Sequence, residues 1–186
     1  MSERKGNVYS DKKIHGGSRE GGMNSMKKRW LCLYVENEIG VLARISGLFS
    51  GKSYNLDSLT VGVTEDKSIS RMTIGLTGDD RTFEQVKKQL NRCVEVIKVV
   101  DHTDTAVHRK ELMFVRIDGC SEREREEIFR IAQVFDAPVI DCGRDAVLME
   151  SVKPERDNDR LIALLRECYV NRIEIARGGS VALEAL

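Results

Sequence analysis

Leu31-Cys32-Leu33-Tyr34-Val35-Glu36-Asn37-Glu38-Ile39-Gly40-Val41-Leu42-Ala43-Arg44-Ile45-Ser46-Gly47-Leu48-Phe49 is the stretch that decides the fold of this chain. It opens as an apolar strand, Leu31 to Val35, and breaks at a polar turn. Beyond the turn Val41, Leu42, Ile45, Leu48 and Phe49 fall at i, i+1, i+4, i+7 and i+8, one face of a 3.6-residue period. A turn that leaves a strand and opens a helix points free backbone N–H groups outward, and the helix dipole adds partial positive charge there. Gly40, at the helix entrance, removes the Cβ that would hold a ligand away from those amides. A small carboxylate can dock at such a place. The same turn can also need glycine for geometry alone, so these residues by themselves leave both readings open.

Outward from this stretch the pattern becomes a repeat. A strand at 29–36 and a helix at 40–51, ended by Gly51, precede a strand at 55–64 that alternates through Leu59, Val61 and Val63. After the polar turn Glu65-Asp66-Lys67, a strand at 69–77 alternates through Met72, Ile74 and Leu76. A helix at 81–92 carries Phe83, Val86 and Leu90 on one face, and a strand runs from Val94 to about Val100. The order β-α-β-β-α-β is the ferredoxin-like arrangement. Asp101 to Ala106 is polar and reads as a linker. The order then returns, with strands at 109–118, 138–142, 145–151 and 171–177 and helices at 121–135 and 155–168. The fold class is therefore α+β, two successive ferredoxin-like βαββαβ domains at 29–105 and 106–186. Each unit has about 75 residues, a size that buries only about 60% of the chain's surface, so pairing into an oligomer is expected.

Residues 1–28 show no period, five glycines, and seven Lys/Arg against three acids; they read as a disordered leader. That segment carries +4, and the remainder −4, because the 186-residue chain balances 30 basic against 30 acidic side chains. At 41% hydrophobic and 32% charged it is an ordinary globular mix with no overall bias towards nucleic acid or anionic membranes. No run reaches the roughly 18 apolar residues that span a bilayer, and no secretory h-region follows the basic start. The five cysteines include no CxxC pair and read as reduced structural thiols of a cytoplasmic protein.

Other motifs fall to their simpler readings. Gly47-Leu48-Phe49-Ser50-Gly51-Lys52-Ser53 imitates a phosphate-binding loop but has one residue too few and lies at a helix end, where the dipole repels anions. RNA-recognition domains share the β-α-β-β-α-β order but stack bases on aromatic residues, and Ile69 to Leu76 has none. The three histidines lack metal-ligand spacing, and no nucleophilic or acid–base constellation is present. Asp79 and Asp80 serve a turn and an acidic helix start. No catalytic or metal residue is assigned.

The combination Glu36-Asn37-Glu38-Ile39-Gly40-Val41-Leu42-Ala43-Arg44, Gly47-Leu48-Phe49-Ser50, Tyr54-Asn55-Leu56-Asp57-Ser58-Leu59-Thr60-Val61 and Ser70-Arg71-Met72-Thr73-Ile74 resembles the ACT domain of the small regulatory subunits of acetolactate synthase. Val139-Ile140-Asp141 and Ile173-Glu174-Ile175-Ala176-Arg177-Gly178-Gly179 are similar to the same family. The resemblance implies a non-catalytic partner of a catalytic large subunit that condenses 2-oxoacids in branched-chain amino-acid synthesis. Thiamine diphosphate, magnesium and FAD are expected on that large subunit, and no cofactor on this chain. It further implies feedback inhibition, usually by valine, bound where two ACT domains of a homodimer pair side by side. The positions that match family effector contacts are Asn37, Ile39, Gly40, Val41 and Leu42 of one protomer, with Asn55, Thr60 and Gly62 from the other. A free-standing ACT-domain amino-acid sensor acting on another target is the alternative. The family usually has a glycine in the segment occupied here by Phe135-Asp136-Ala137-Pro138, a departure at that turn.

Overall fold

The computed structural model describes residues 26–50 and 55–186. In chain order the elements are β1 (Lys27–Glu36), α1 (Val41–Ser50), β2 (Asn55–Val63), β3 (Ile69–Gly78), α2 (Asp80–Leu90) and β4 (Val96–Asp101). They are followed by β5 (Val107–Asp118), α3 (Glu122–Phe135), β6 (Val139–Cys142), β7 (Ala146–Lys153), α4 (Glu155–Cys168) and β8 (Ile173–Glu184). The strands form two antiparallel sheets, ordered β2-β3-β1-β4 and β6-β7-β5-β8, so the βαββαβ unit occurs twice. Most of the expected leader, residues 1–25, and the expected helix end at Gly51 lie outside the described residues.

Each sheet buries one face against its own two helices. In the first, Leu31, Leu33 and Val35 of β1 and Met72, Ile74 and Leu76 of β3 meet Val41, Ile45 and Phe49 of α1 and Phe83, Val86 and Leu90 of α2. In the second, Met113, Val115 and Ile117 of β5 and Val147 and Met149 of β7 meet Ile128 and Ala132 of α3 and Leu161, Ile162 and Leu165 of α4. Burying each of the larger side chains contributes about 1.5–3 kcal/mol.

The helix ends follow from local chemistry. Asp79 caps α2 by accepting from Thr82 N–H at 2.8 Å. Ser121 and Glu124 form a capping box on α3. At the turn where the family usually has glycine, Asp136 closes α3 in the left-handed region, φ 47°, a conformation Asp tolerates better than most residues. The local turn is thus kept without the glycine.

The structure departs from the sequence reading at the junction of the units. The last strand was expected to stop near 177, yet β8 continues to Glu184, and β5 begins at Val107 instead of 109. The two extensions pair with each other, Val107 opposite Glu184 through Glu111 opposite Ser180. Gly178 and Gly179, which look like a strand stop, are absorbed as a bulge: the register slips between Glu111 and Met113, and Gly179 takes φ +78°.

This paired extension lies on the back of the first sheet, the face turned away from its helices. There the Thr60 hydroxyl donates to Ser180 O at 2.8 Å, Ser180 N–H donates to Ser58 Oγ at 3.1 Å, and Arg71 donates to Ala182 O. The Arg109 guanidinium stacks 4.1 Å from the centroid of the Trp30 ring. Trp30, Cys32 and Thr73, all on this back face, are buried. Gly75, opposite Trp30 in the ladder, leaves room for the indole, since a Cβ there would lie 2.8 Å from the ring.

Gly75→Ala should therefore destabilise the chain by about 1–3 kcal/mol through overpacking, seen as a lowered Tm. A second expectation concerns acid. Glu124 accepts from Arg172 and from the Ser121 N–H and hydroxyl, which hold its carboxyl at about 2 against an ordinary 4.5. A depressed carboxylate stabilises the fold above its unfolded value and loses that contribution as pH falls through the folded one. Stability should thus decline between pH 4.5 and about 2, and Glu124→Gln should flatten that part of the profile in acid melts.

Candidate functional site

The turn between β1 and α1 is set by two tethers to its neighbours. Glu36 N–H donates to Glu95 O at 3.0 Å and Asn37 N–H to Ser68 O at 2.7 Å. The Asn37 side chain completes the second tether. Its Nδ2 donates to Lys67 O at 2.9 Å, and its Oδ1 accepts from the Ser70 hydroxyl at 2.9 Å. Asn37 therefore clamps the β2–β3 turn to the β1–α1 turn. A ligand approaching this residue meets an amide whose orientation is already fixed.

Gly40 follows with φ +89°, in the region that favours glycine, and no atom lies within 4 Å of where its Cβ would stand. The requirement there is conformational, and the space above it is open. The helix begins immediately. Val41 N–H reaches Glu38 O at 3.4 Å and Arg44 N–H bonds to Gly40 O at 3.0 Å. The amides of Leu42 and Ala43 belong to the first turn, where a helix offers no acceptor of its own. No acidic residue stands in that first turn, whereas α2, α3 and α4 each carry at least one. The entrance to α1 is thus an open pair of donors at the positive end of a helix dipole.

The expected site residues divide into groups. Asn37, Ile39, Gly40 and Leu42 all lie exposed around the helix entrance, with Ile39 entirely in solvent and Leu42 45% exposed. Val41 is buried in the first core, so only its backbone can face a ligand. Asn55 opens β2, opposite Thr77, at the end of the sheet away from the turn. Thr60 points to the back face, where its hydroxyl is engaged by Ser180 O. Gly62 is exposed, opposite Arg71, and a Cβ there would meet open space.

One chain does not bring these groups together. Val63, at the far end of β2, pairs with Ser70, and Asn37 bonds to Ser70 and Lys67, so the helix entrance sits at that end. Asn55 to Val63 is eight steps along a strand, about 26 Å. β2 is also an edge strand, paired among the described residues with β3 alone, and Val61 and Val63 on it are 45% and 58% exposed.

Three residues with a part in this region were assigned no role from the sequence: Ser58, Gly179 and Ser180. Ser58 and Gly179 enter the sequence argument only inside the stretches that resemble the family, and Ser180 lies just beyond the last of them. A cleft of about 300 Å³ opens between the two units where they meet, lined by Asp57, Ser58 and Leu59 from one and Glu111, Arg177 and Gly179 among others from the second. Glu111 is buried there, held by Arg177 and by Asn158 Nδ2 at 3.0 Å.

No helix among the described residues is long and apolar enough to cross a membrane. Comparison with known proteins gives concordant results. A family model described as the AHAS small subunit-like ACT domain matches residues 31–98, and one described as the small subunit of acetolactate synthase matches residues 110–185. The acetolactate synthase small subunit of Aquifex aeolicus is 40% identical over 165 residues, 89% of this chain and 85% of that one. The isozyme 3 small subunit of Escherichia coli is 36% identical over 156 residues, covering 84% and 94%. The crystal structure of the acetolactate synthase small subunit from Thermotoga maritima superposes with a TM-score of 0.76 at 30% identity, over 86% of this chain and 98% of that one. With both units matched in order, the chain belongs to the family of acetolactate synthase small subunits.

Proposed function

We propose that this chain is the regulatory, non-catalytic subunit of an acetolactate synthase. It pairs with a catalytic large subunit, which carries the thiamine diphosphate chemistry together with magnesium and FAD, and raises its activity. It also makes the enzyme responsive to a branched-chain amino acid, with valine the first candidate.

The observation that carries this reading is the entrance of α1, where a positive-φ glycine opens onto first-turn amides with no acidic side chain in the turn. Valine offers a carboxylate for those amides, and charged hydrogen bonds of this kind contribute about 1.5–3 kcal/mol each. Its small branched side chain suits the exposed apolar Ile39 and Leu42.

The free edge of β2 supports a seam between two copies. Pairing two β2 edges antiparallel about a two-fold axis near Leu59 brings Asn55 of one chain level with the turn end of the other. Gly62, with nothing beside it, leaves space for that approach. Such a seam also removes the exposed strand edge and the solvent contact of Val61 and Val63. A site that needs both chains links effector binding to dimer geometry, which is how a change there reaches the large subunit.

Calorimetric titration of valine into the purified chain should give a dissociation constant between roughly 1 mM and 1 μM. Gly40→Asp should abolish that binding while preserving the fold, since Asp tolerates positive φ and its carboxylate repels the ligand's. Unchanged binding in this variant removes the assignment. Asn55→Ala should weaken binding by about 1–3 kcal/mol, and an unaltered titration places Asn55 outside the site.

A further inference from the structure

Strand β2 takes part in two contacts at once. Its outer edge is the free one, where the proposed effector seam lies. Its back face grips the second unit through Ser58 and Thr60, which bond to the N–H and the C=O of Ser180 at 3.1 and 2.8 Å. Both strands are irregular at this meeting point. β2 slips register between Leu56 and Ser58, and β8 bulges at Gly178-Gly179. Bulges of this kind re-aim side chains and recur beside functional sites. They frame the inter-unit cleft of about 300 Å³.

The joint is close-fitting yet shallow in energy. A Cβ on Gly179 would come 2.8 Å from the Thr60 methyl and 2.9 Å from Ser58 Oγ, so Gly179 leaves these two side chains a place that any larger residue would contest. Among the described residues, however, the junction also holds buried polar atoms with no hydrogen-bond partner: Ser180 Oγ, Arg109 Nε and His102 Nδ1. Each such atom costs free energy, and three of the five found among the described residues gather at this junction. A contact that is specific in geometry and poorly compensated in polarity is suited to coupling, which needs an element that both sites can bias.

We propose that the joint of Ser58 and Thr60 with Gly179 and Ser180 is the coupling element between effector site and second unit: β2, displaced at its seam edge by bound effector, shifts β8 through this grip. The proposal rests on the effector reading given above and assigns the route by which the bound amino acid is felt at a distance. The proposal extends to binding: docking of the large subunit on the second unit alters valine affinity through the same joint, a coupling that is reciprocal between the two binding events.

The test uses the full chain, alone and reconstituted with its catalytic large subunit, with valine as the probe. Ser58→Ala removes one half of the grip with little change of shape. Gly179→Ala sets a Cβ against the Thr60 methyl and Ser58 Oγ and strains a positive-φ position. Valine affinity of each isolated variant, measured by calorimetry, should stay within about two-fold of the parent. The maximal change in holoenzyme rate at saturating valine should fall at least five-fold, and the affinity difference between free chain and holoenzyme should vanish. If the response survives intact in both variants, or falls only in step with valine affinity, the coupling assignment is wrong. Should Gly179→Ala fail to fold, Ser58→Ala alone decides. If the unmodified chain binds no valine, the effector reading fails first, an outcome distinct from failure of the coupling.

Discussion

Strand β1 is buried on both faces, and the rest of the molecule is arranged around that fact. Trp30, Leu31, Cys32, Leu33 and Val35 are all essentially inaccessible to water. Because successive side chains of a strand point to opposite faces, Leu31, Leu33 and Val35 enter the core shared with α1 and α2. Trp30 and Cys32 enter a second layer, roofed by the paired ends of β5 and β8. β1 is also central in its sheet, flanked by β3 and β4. The turn that follows it, and with it the entrance of α1, is therefore held by a strand packed on both faces and paired on both edges. A site that depends on first-turn amides being aimed in advance is well placed on such a support.

The two faces of the first sheet are built by different means. The helix side is an apolar core whose stability comes from burial. The back side is polar: Ser58, Thr60 and Arg71 meet the backbone of β8 through side-chain hydrogen bonds, with a stacked Arg109–Trp30 pair and the Lys28–Glu155 ion pair beside them. Interfaces between units of one chain resemble transient protein–protein interfaces in this respect. Loss of one hydrogen bond there changes the geometry between units more than it changes the integrity of either core. Stability and communication are thus assigned to opposite faces of one sheet. This division lets a small displacement matter without unfolding anything.

The second unit has its own rigid anchor. Glu111, buried in β5, is compensated by Arg177 of β8 and Asn158 of α4, and Asn158 accepts from the Ser151 hydroxyl at 2.7 Å. A buried carboxylate without such partners would be strongly unfavourable. With them, the base of the β5–β8 pair is fixed to α4 and β7, close to where the pair reaches across to the first sheet. The strand pair that carries Ser180 is thus tied to a helix through Glu111, Arg177 and Asn158.

The sequence by itself determined the secondary structure and the repeat. Periods of two and 3.6, a capping Asp79 and the turn at Gly40 are local properties, readable within a window of a few residues. The helix at 155–168 has the same limits in the sequence and in the structure. The entrance of α1 was legible for the same reason, since Gly40 and the apolar stripe behind it are adjacent in the chain. Only the tertiary structure decided what lies on the back of the first sheet. Ser58, Thr60, Arg71 and Thr73 alternate with apolar residues in the pattern that otherwise marks a solvated face. Gly178-Gly179 reads as a stop until a partner strand turns it into a bulge. One hint was present: the run Trp30 to Val35 lacks the polar alternation of a half-exposed antiparallel strand. Its meaning depends on β5 and β8, which lie more than 70 residues away, and no local pattern encodes which distant strand will supply the missing cover.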